Sequence, residues 1–284
     1  MIDVRLASLA GDPKKPNEDC FVSVPGLVAV FDGVSIPDSL DSGCLHSPAW
    51  YTRTLAVSLT ARHAADPYAD LSDLVASAIA AVRDQHGGTC DLEHPGTPQS
   101  TLAVLRVGEV AADYLVLCDS TLVLDQSGST HAITDIRIRQ TARSLRRLAL
   151  AGAAPIGSAE HAEQIRALTL AKRDRANRPG GYWIAAADPA AAHHAVRGTM
   201  PLKGPHRLTR AALLTDGASC VVDQYSLTDW PGLLDLLDAH GPHHVVELAR
   251  TIEQADPNGY ERPRPKPHDD ATIAYCLLPQ EVHP

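Results

Sequence analysis

Short apolar runs recur along the chain, and several of them stop at an acidic residue. Val28 to Phe31 is a compact apolar run that ends in Asp32-Gly33, where glycine permits tight backbone. The period then changes. Leu71, Leu74, Val75, Ala78, Ile79 and Val82 follow the three-and-four spacing of an amphipathic helix, with Asp70 or Ser72 to cap its start and Gly87-Gly88 to end it. An earlier helix is predicted from Ala49 to His63, with Trp50, Leu55, Val57 and Leu59 among its apolar positions. Strand texture resumes over residues 100–107, 114–117 and 121–124, punctuated by Gly108-Glu109, Asp119-Ser120 and a hairpin turn at 126–128. Such a meander of short strands predicts antiparallel sheet, not alternating β-α units.

From Ile136 to Arg178 the chain is polar and rich in arginine, which reads as surface-lying and partly helical. Another strand is expected from Gly180 to Ala185, and residues 211–214 run into Thr215-Asp216-Gly217. Two helices are predicted at Trp230–His240 and His243–Ala255, the second with Val245, Val246, Leu248, Ala249 and Ile252 on its apolar side. Pro263, Pro265 and Pro267 make an extended approach to Asp269 before a final strand over 272–277. With no internal repeat and no interdomain linker, residues 1–284 are expected to form one domain, with 136–212 as a candidate flap or variable region.

Composition removes several function classes. A net charge of −9 argues against a nucleic-acid partner, which would want a basic face. It leaves phosphorylated substrates open, because a bound cation would reverse the sign locally. No apolar stretch approaches the roughly 20 residues that span a bilayer, and the start lacks the pattern of a signal peptide. The expectation is a cytoplasmic protein without a membrane partner. Six dispersed cysteines (Cys20, Cys44, Cys90, Cys118, Cys220 and Cys276) form no CxxC pair, so a disulfide framework and a structural zinc both read poorly. The alanine- and arginine-rich, lysine-poor composition suggests a GC-rich bacterial source.

The chemistry lies in four acidic motifs: Asn17-Glu18-Asp19, Asp32-Gly33, Thr215-Asp216-Gly217 and Asp269-Asp270-Ala271-Thr272. Carboxylates are costly to cluster without a countercharge, so a fold that gathers them at strand ends is expected to bind a hard divalent cation. Taken singly, Asp32 and Asp216 each read equally well as turn residues after a strand. The pairs His193-His194 and His243-His244 lack a third ligand at helical spacing and read as exposed or capping residues.

In their order, these motifs together with Gln99-Ser100-Thr101 and Asp119-Ser120 resemble the PPM-type (PP2C-like) metal-dependent serine/threonine phosphatases over nearly the whole chain. The resemblance implies an α+β fold, an α-β-β-α four-layer sandwich with two central antiparallel sheets flanked by helix pairs. It also implies two Mn2+ or Mg2+ ions, with Asp32 bridging both. Glu18 and the carbonyl of Gly33 would complete one site, and Asp216 with Asp269 the other. Asp119 with Asp216 could hold a weaker third ion. Asp19 would support the site and Asp270 would orient its loop.

Three departures from that pattern bear on substrate handling. Lys14, the candidate phosphate-binding catalytic residue, stands where the family usually has arginine, and lysine lacks the bidentate fork. Val34-Ser35-Ile36 follows Asp32-Gly33, so the histidine proposed as general acid in some members is missing, leaving a water or another histidine such as His46. Cys118 takes the place of the glycine in Gly-Asp-Ser. The expected activity is hydrolysis of phosphoserine or phosphothreonine in a partner protein. The alternatives are a small phosphoester substrate, or a catalytically weak pseudophosphatase acting as a regulatory binding module. Oligomeric state is not legible in the sequence.

Overall fold

The computed structural model describes residues 2–37, 40–149 and 154–278. Among the described residues there are ten strands: β1 (Asp3–Leu9), β2 (Cys20–Val24), β3 (Leu27–Gly33), β4 (Ser100–Val107), β5 (Ala111–Leu117), β6 (Thr121–Gln126), β7 (Ser129–Ile133), β8 (Val196–Pro201), β9 (Leu208–Leu214) and β10 (Ala271–Leu277). They pair antiparallel in two five-stranded sheets, ordered β1-β10-β9-β6-β7 and β2-β3-β4-β5-β8. Helices α1 (Pro48–Ala65) and α2 (Leu71–Gln85) cover the second sheet. Helices α3 (Arg137–Thr141), α4 (Arg143–Ala149) and α5 (Ala159–Arg173) precede a 3-10 turn at Pro189–His194. Helices α6 (Asp216–Asp223) and α7 (Trp230–Ala255) cover the first sheet. The result is the expected α-β-β-α sandwich.

The continuous apolar runs have a direct cause. Alternate side chains of a strand face opposite sides, and here both sides are buried. Val28 and Val30 join Ala103, Leu105, Leu122, Leu213 and Ala274 between the sheets, while Leu27, Ala29 and Phe31 face α1 and α2. On the other sheet, Ala212, Leu214, Ile273 and Tyr275 face α6 and α7. Removal of that apolar area from water, worth roughly 25 cal/mol per Å², is what orients both strand bundles.

Local signals set the helix ends. Ser47 accepts from the Trp50 N–H at 3.2 Å, and Pro48 occupies the first turn of α1, where a missing N–H is harmless. Asp70 is the cap of α2, accepting from the Ser72 N–H at 2.8 Å, and Ser72 lies inside the helix. The two helices expected near the C-terminal end are the two arms of α7, separated at Gly241, whose φ of 79° no helix tolerates. Val57 points outward, 71% exposed, while Leu55 and Leu59 are buried.

Gly180 to Ala185 is not a strand. It makes isolated bridges, Ala176 to Tyr182 and Ser100 to Ala185. β5 stops opposite Leu102, so Ser100 has a free edge, which Ala185 satisfies with reciprocal bonds of 2.9 and 3.1 Å. Tyr182 and Ile184 then pack on Cys118 and Ile138. Within 136–212, β8 and the start of β9 belong to the sheets. Residues 150–153 of the arginine-rich stretch lie outside the described residues. That stretch is not all solvated face, because Arg173 is buried and donates to the carbonyls of Pro95 and Thr97 at 2.6 and 2.8 Å.

Candidate metal centre

Register brings the acidic motifs to one end of the sandwich. In the second sheet, Asp32 and Gly33 pair with Thr101 and Ser100, and Cys20 pairs with Phe31, which leaves Glu18 and Asp19 just before β2. In the first sheet, Leu214 lies opposite Ile273 and Thr121, which puts Asp216 just past β9 and Asp269 just ahead of β10. Asp119 lies in the short link that carries the chain from β5 in one sheet to β6 in the other. Thr101 and Ser120 close that link with a hydroxyl contact of 2.6 Å.

The loops are tied together by groups that belong to the motifs themselves. Asp270 accepts from the backbone N–H groups of Gly11 at 2.7 Å and Glu18 at 2.6 Å, clamping the β1–β2 loop to the start of β10. Thr215 donates its hydroxyl to Asp19 at 2.8 Å and accepts from the Thr272 N–H at 2.9 Å. Arg250 of α7 donates to the carbonyls of Asp269 and Ala10 at 2.9 and 3.2 Å. Gly33 and Gly217 are required by close approach. A Cβ on Gly33 would lie 2.7 Å from the carbonyl oxygen of Glu18, and one on Gly217 would lie 2.0 Å from that of Asp270.

Electrostatics mark the cluster as a place of unbalanced negative charge. Burial, then Asp216, Asp19, Asp269 and Asp119, push the Asp32 carboxyl well above its ordinary range. Burial followed by Asp269 and Asp119 pushes Asp216 up to about 7, against Lys266 and Lys172. Burial, Asp269 and Asp270 also raise Asp19, one of whose buried carboxylate oxygens has no hydrogen-bond partner. Glu18 is raised by burial first, and its other influences include a hydrogen bond from the Ser35 hydroxyl.

A lysine side chain enters the cluster. Lys266, carried in by the proline-rich loop, sets its ammonium 2.6 Å from Asp269 and 3.0 Å from the Ser35 hydroxyl. Burial would lower its pKa, but Asp269, Asp216 and Asp32 drive it upward. That loop is held from below by Arg264, which is buried and donates to the carbonyls of Pro267, Glu253 and Asp256 at 3.0, 2.9 and 2.6 Å. A single ammonium leaves most of the carboxylate charge uncompensated. The donors are hard oxygens of the kind Mg2+ and Mn2+ take, so the cluster fits such ions in chemistry. Its carboxylates stand apart: among the described residues, the three-residue group whose donor atoms all lie within 4.8 Å of one another is Cys44, His46 and Cys90.

No family model matches the chain, and no curated protein matches it in sequence. Solved structures do match over nearly its full length. The catalytic domain of the serine/threonine protein phosphatase PstP, in complex with two manganese ions, aligns with a TM-score of 0.59 at 16% identity, covering 98% of this chain and 99% of that one. The PPM Ser-Thr phosphatase MsPP from Mycobacterium smegmatis aligns with a TM-score of 0.55 at 18% identity over 98% of both chains. The serine/threonine phosphatase Stp1 from Staphylococcus aureus gives 0.57 at 13% identity, with 99% and 96% covered. The chain has the PPM-type phosphatase fold.

On this PPM-type frame, Glu18, Asp19, Asp32, Asp216, Asp269 and Asp270 converge at one end of the sandwich, and Gly33 is packed against Glu18. Asp119 joins the same charge cluster through its influence on Asp32 and Asp216. Lys14 is elsewhere in character: it is exposed, and its own N–H turns back to Asp12 at 2.9 Å. The lysine that reaches the carboxylates is Lys266, which the sequence reading passed over; its position between two prolines, three residues before Asp269, was the available signal. Ser35, Arg250 and Arg264 were also missed, the first two because they reach residues distant in sequence, Lys266 and Ala10, and Arg264 because it fills backbone carbonyls of its own loop and the end of α7, which carry no side-chain signal. Arg139 of α3 adds a further cation nearby: burial lowers its pKa, but its partner Asp223, 2.5 Å away, and then Asp119 and Asp216 raise it.

Proposed function

We propose that this protein is a metal-dependent phosphatase that hydrolyses phosphoserine or phosphothreonine in a partner protein. The observation that supports the reading most is the gathering of Glu18, Asp32, Asp216 and Asp269 at one end of a PPM-type sandwich, with too little positive charge to balance them. Asp32, Glu18 and the carbonyl of Gly33 would hold one Mn2+ or Mg2+ ion. Asp32, Asp216 and Asp269 would hold a second, and Asp119 with Asp216 a weaker third. Ions bound there would lower the pKa of a water and offset charge on the phosphoryl oxygens during an in-line displacement.

The chain's own residues do the rest. Asp270 and Thr215 fix the ligand-bearing loops, so the carboxylates need little reorganisation. Lys266 offsets part of the cluster's charge in the metal-free protein and is placed to balance charge at a phosphate. Lys14, being exposed, would meet only the distal part of a phosphorylated partner. Residues 1–284 are read as one cytoplasmic phosphatase domain; no described helix is long and apolar enough to cross a membrane.

Lys266 also favours a second reading, in which its ammonium replaces metal and the protein binds phosphoproteins without turning them over. Initial rates on phosphoserine and phosphothreonine peptides, beside a panel of metabolite phosphates, separate the readings. Mn2+-dependent peptide hydrolysis that exceeds the metabolite rates supports the proposal. Preference for a metabolite selects the small-phosphoester alternative. Peptide binding without hydrolysis at saturating Mn2+ selects the binding module.

A further inference from the structure

Cys44 and Cys90 meet although they come from different loops, the one between β3 and α1 and the one between α2 and β4. Their sulfurs are 2.9 Å apart. His46 Nδ1 lies 3.6 Å from the Cys44 sulfur and 3.4 Å from that of Cys90. Two peptide N–H groups are aimed at the same sulfurs, Leu45 to Cys90 at 3.4 Å and His46 to Cys44 at 3.3 Å. The His46 ring is stacked on Trp50 at 3.8 Å and stands edge-on to His86 at 5.0 Å. His86 Nδ1 lies 2.9 Å from the Val82 carbonyl, while its buried Nε2 has no partner. Dispersal along the sequence argued against zinc; tertiary structure removes that argument for these three residues.

We propose that Cys44, His46 and Cys90 form a zinc site, separate from the carboxylate cluster, that ties the loop after Gly33 to the loop after α2. Thiolate and imidazole donors select Zn2+ over Mn2+ or Mg2+, which prefer oxygen. Two thiolates and a neutral imidazole bring the charge around Zn2+ to zero, and the two thiol protons leave to solvent. Although partial burial pushes the Cys90 thiol up, hydrogen bonds with Cys44, the Leu45 N–H, His46 and Thr89 hold it at about 7. Burial and the contact with Cys90 push the Cys44 thiol up to about 11, so Cys90 is the sulfur that gives up its proton more readily, and bound Zn2+ would have to displace the one on Cys44. Zn–S bonds of about 2.3 Å in a tetrahedron place two sulfurs about 3.8 Å apart, so the pair opens by about 0.9 Å from its 2.9 Å separation on binding. A disulfide would use the same sulfurs, but it would leave His46 Nδ1 and both N–H groups facing atoms that accept poorly. The same loop carries Ser35 to Glu18 and Lys266, so a zinc ion here would steady the edge of the acidic cluster without ligating within it.

The test uses the full chain, reduced, stripped with chelator and titrated with Co2+ and then Zn2+. The expected result is one Co2+ per chain that carries a near-ultraviolet thiolate charge-transfer band and the intense visible bands of four-coordinate cobalt, with water as the fourth ligand, apart from any Co2+ taken up by the carboxylate cluster, and these bands are erased by Zn2+. Asp216→Asn retains these bands and Cys90→Ser loses them. In the unmutated chain, Zn2+ slows alkylation of Cys44 and Cys90 by at least about tenfold while leaving Cys20 unchanged, a readout that survives any misfolding of Cys90→Ser. Cobalt binding without a thiolate band, alkylation indifferent to Zn2+, or a Cys44–Cys90 disulfide that persists under reductant would each overturn the proposal.

Discussion

Replacing Asp216 with asparagine should make the metal-free protein more stable at high pH, although it removes a proposed ligand. Asp216 is raised from 3.8 to about 7 by burial, then by Asp269 and Asp119. A carboxyl whose folded pKa is raised contributes fully below its unfolded pKa and loses that contribution as pH rises through the folded value. From 3.8 and 7, the stability lost is about 2 kcal/mol by pH 5 and about 4 kcal/mol by pH 8. Asp216→Asn has no such loss, so its advantage over the unmutated chain should grow by about 2 to 3 kcal/mol between those two pH values. Urea unfolding in chelator at pH 5 and pH 8 reads the difference directly. With saturating Mn2+ the order should reverse, because the ion rewards the ionised carboxylate. If Asp216→Asn is less stable than the unmutated chain at pH 8 in chelator, or if the gap does not widen with pH, the carboxylates do not repel as described.

Further outcomes follow from the same geometry. Gly217→Ala places a Cβ 2.0 Å from the Asp270 carbonyl oxygen; thermal unfolding should show a loss of about 1–3 kcal/mol from overpacking, with activity falling further as Asp216 is pushed from Asp269. Arg264→Met removes its 3.4 Å contact with Asp256, which keeps the N–H groups of Tyr260, Glu261 and Arg262, and leaves the carbonyls of Glu253, Asp256 and Pro267 without that donor, which should cost about 1–3 kcal/mol in urea unfolding. Lys266→Met should lower metal-free stability and tighten Mn2+ binding by calorimetry, since the ammonium 2.6 Å from Asp269 competes for that carboxylate; unchanged affinity would mean the ammonium does not compete. Asp119→Asn should lower turnover while leaving binding of two ions nearly intact, and a loss of both together would contradict a separate weaker site.

Much of the fold was legible because the physics was local. Apolar runs such as Val28 to Phe31 and Ala211 to Leu214 mark strands buried on both faces, and the spacing from Leu71 to Val82 marks a helix with one buried side. β8 was hidden because it is an edge strand, largely exposed and without an apolar run, whose place is set by pairing with β5. Gly180 to Ala185 reads as a strand because its apolar residues fill a gap beyond β5, where only one bridge to β4 is available. The acidic motifs were visible as residues, whereas the supporting cast was not. Arg250 acts across 239 residues, Arg264 through loop carbonyls, and Lys266 through the Asp269 carboxylate and the Ser35 hydroxyl 231 residues away, contacts that hydrophobic patterning does not encode. Cys44 and Cys90 show the same limit from the other side, since their 46-residue separation hid a contact of 2.9 Å.

The measurement that bears most directly on the central reading is hydrolysis of p-nitrophenyl phosphate by metal-stripped protein, titrated with Mn2+ and Mg2+ beside Asp32→Asn. Activity should be absent in chelator, appear with metal, and stay absent in the variant, which should also bind the ions more weakly. Hydrolysis that persists in chelator, or that Asp32→Asn retains, would contradict a phosphatase centred on these carboxylates.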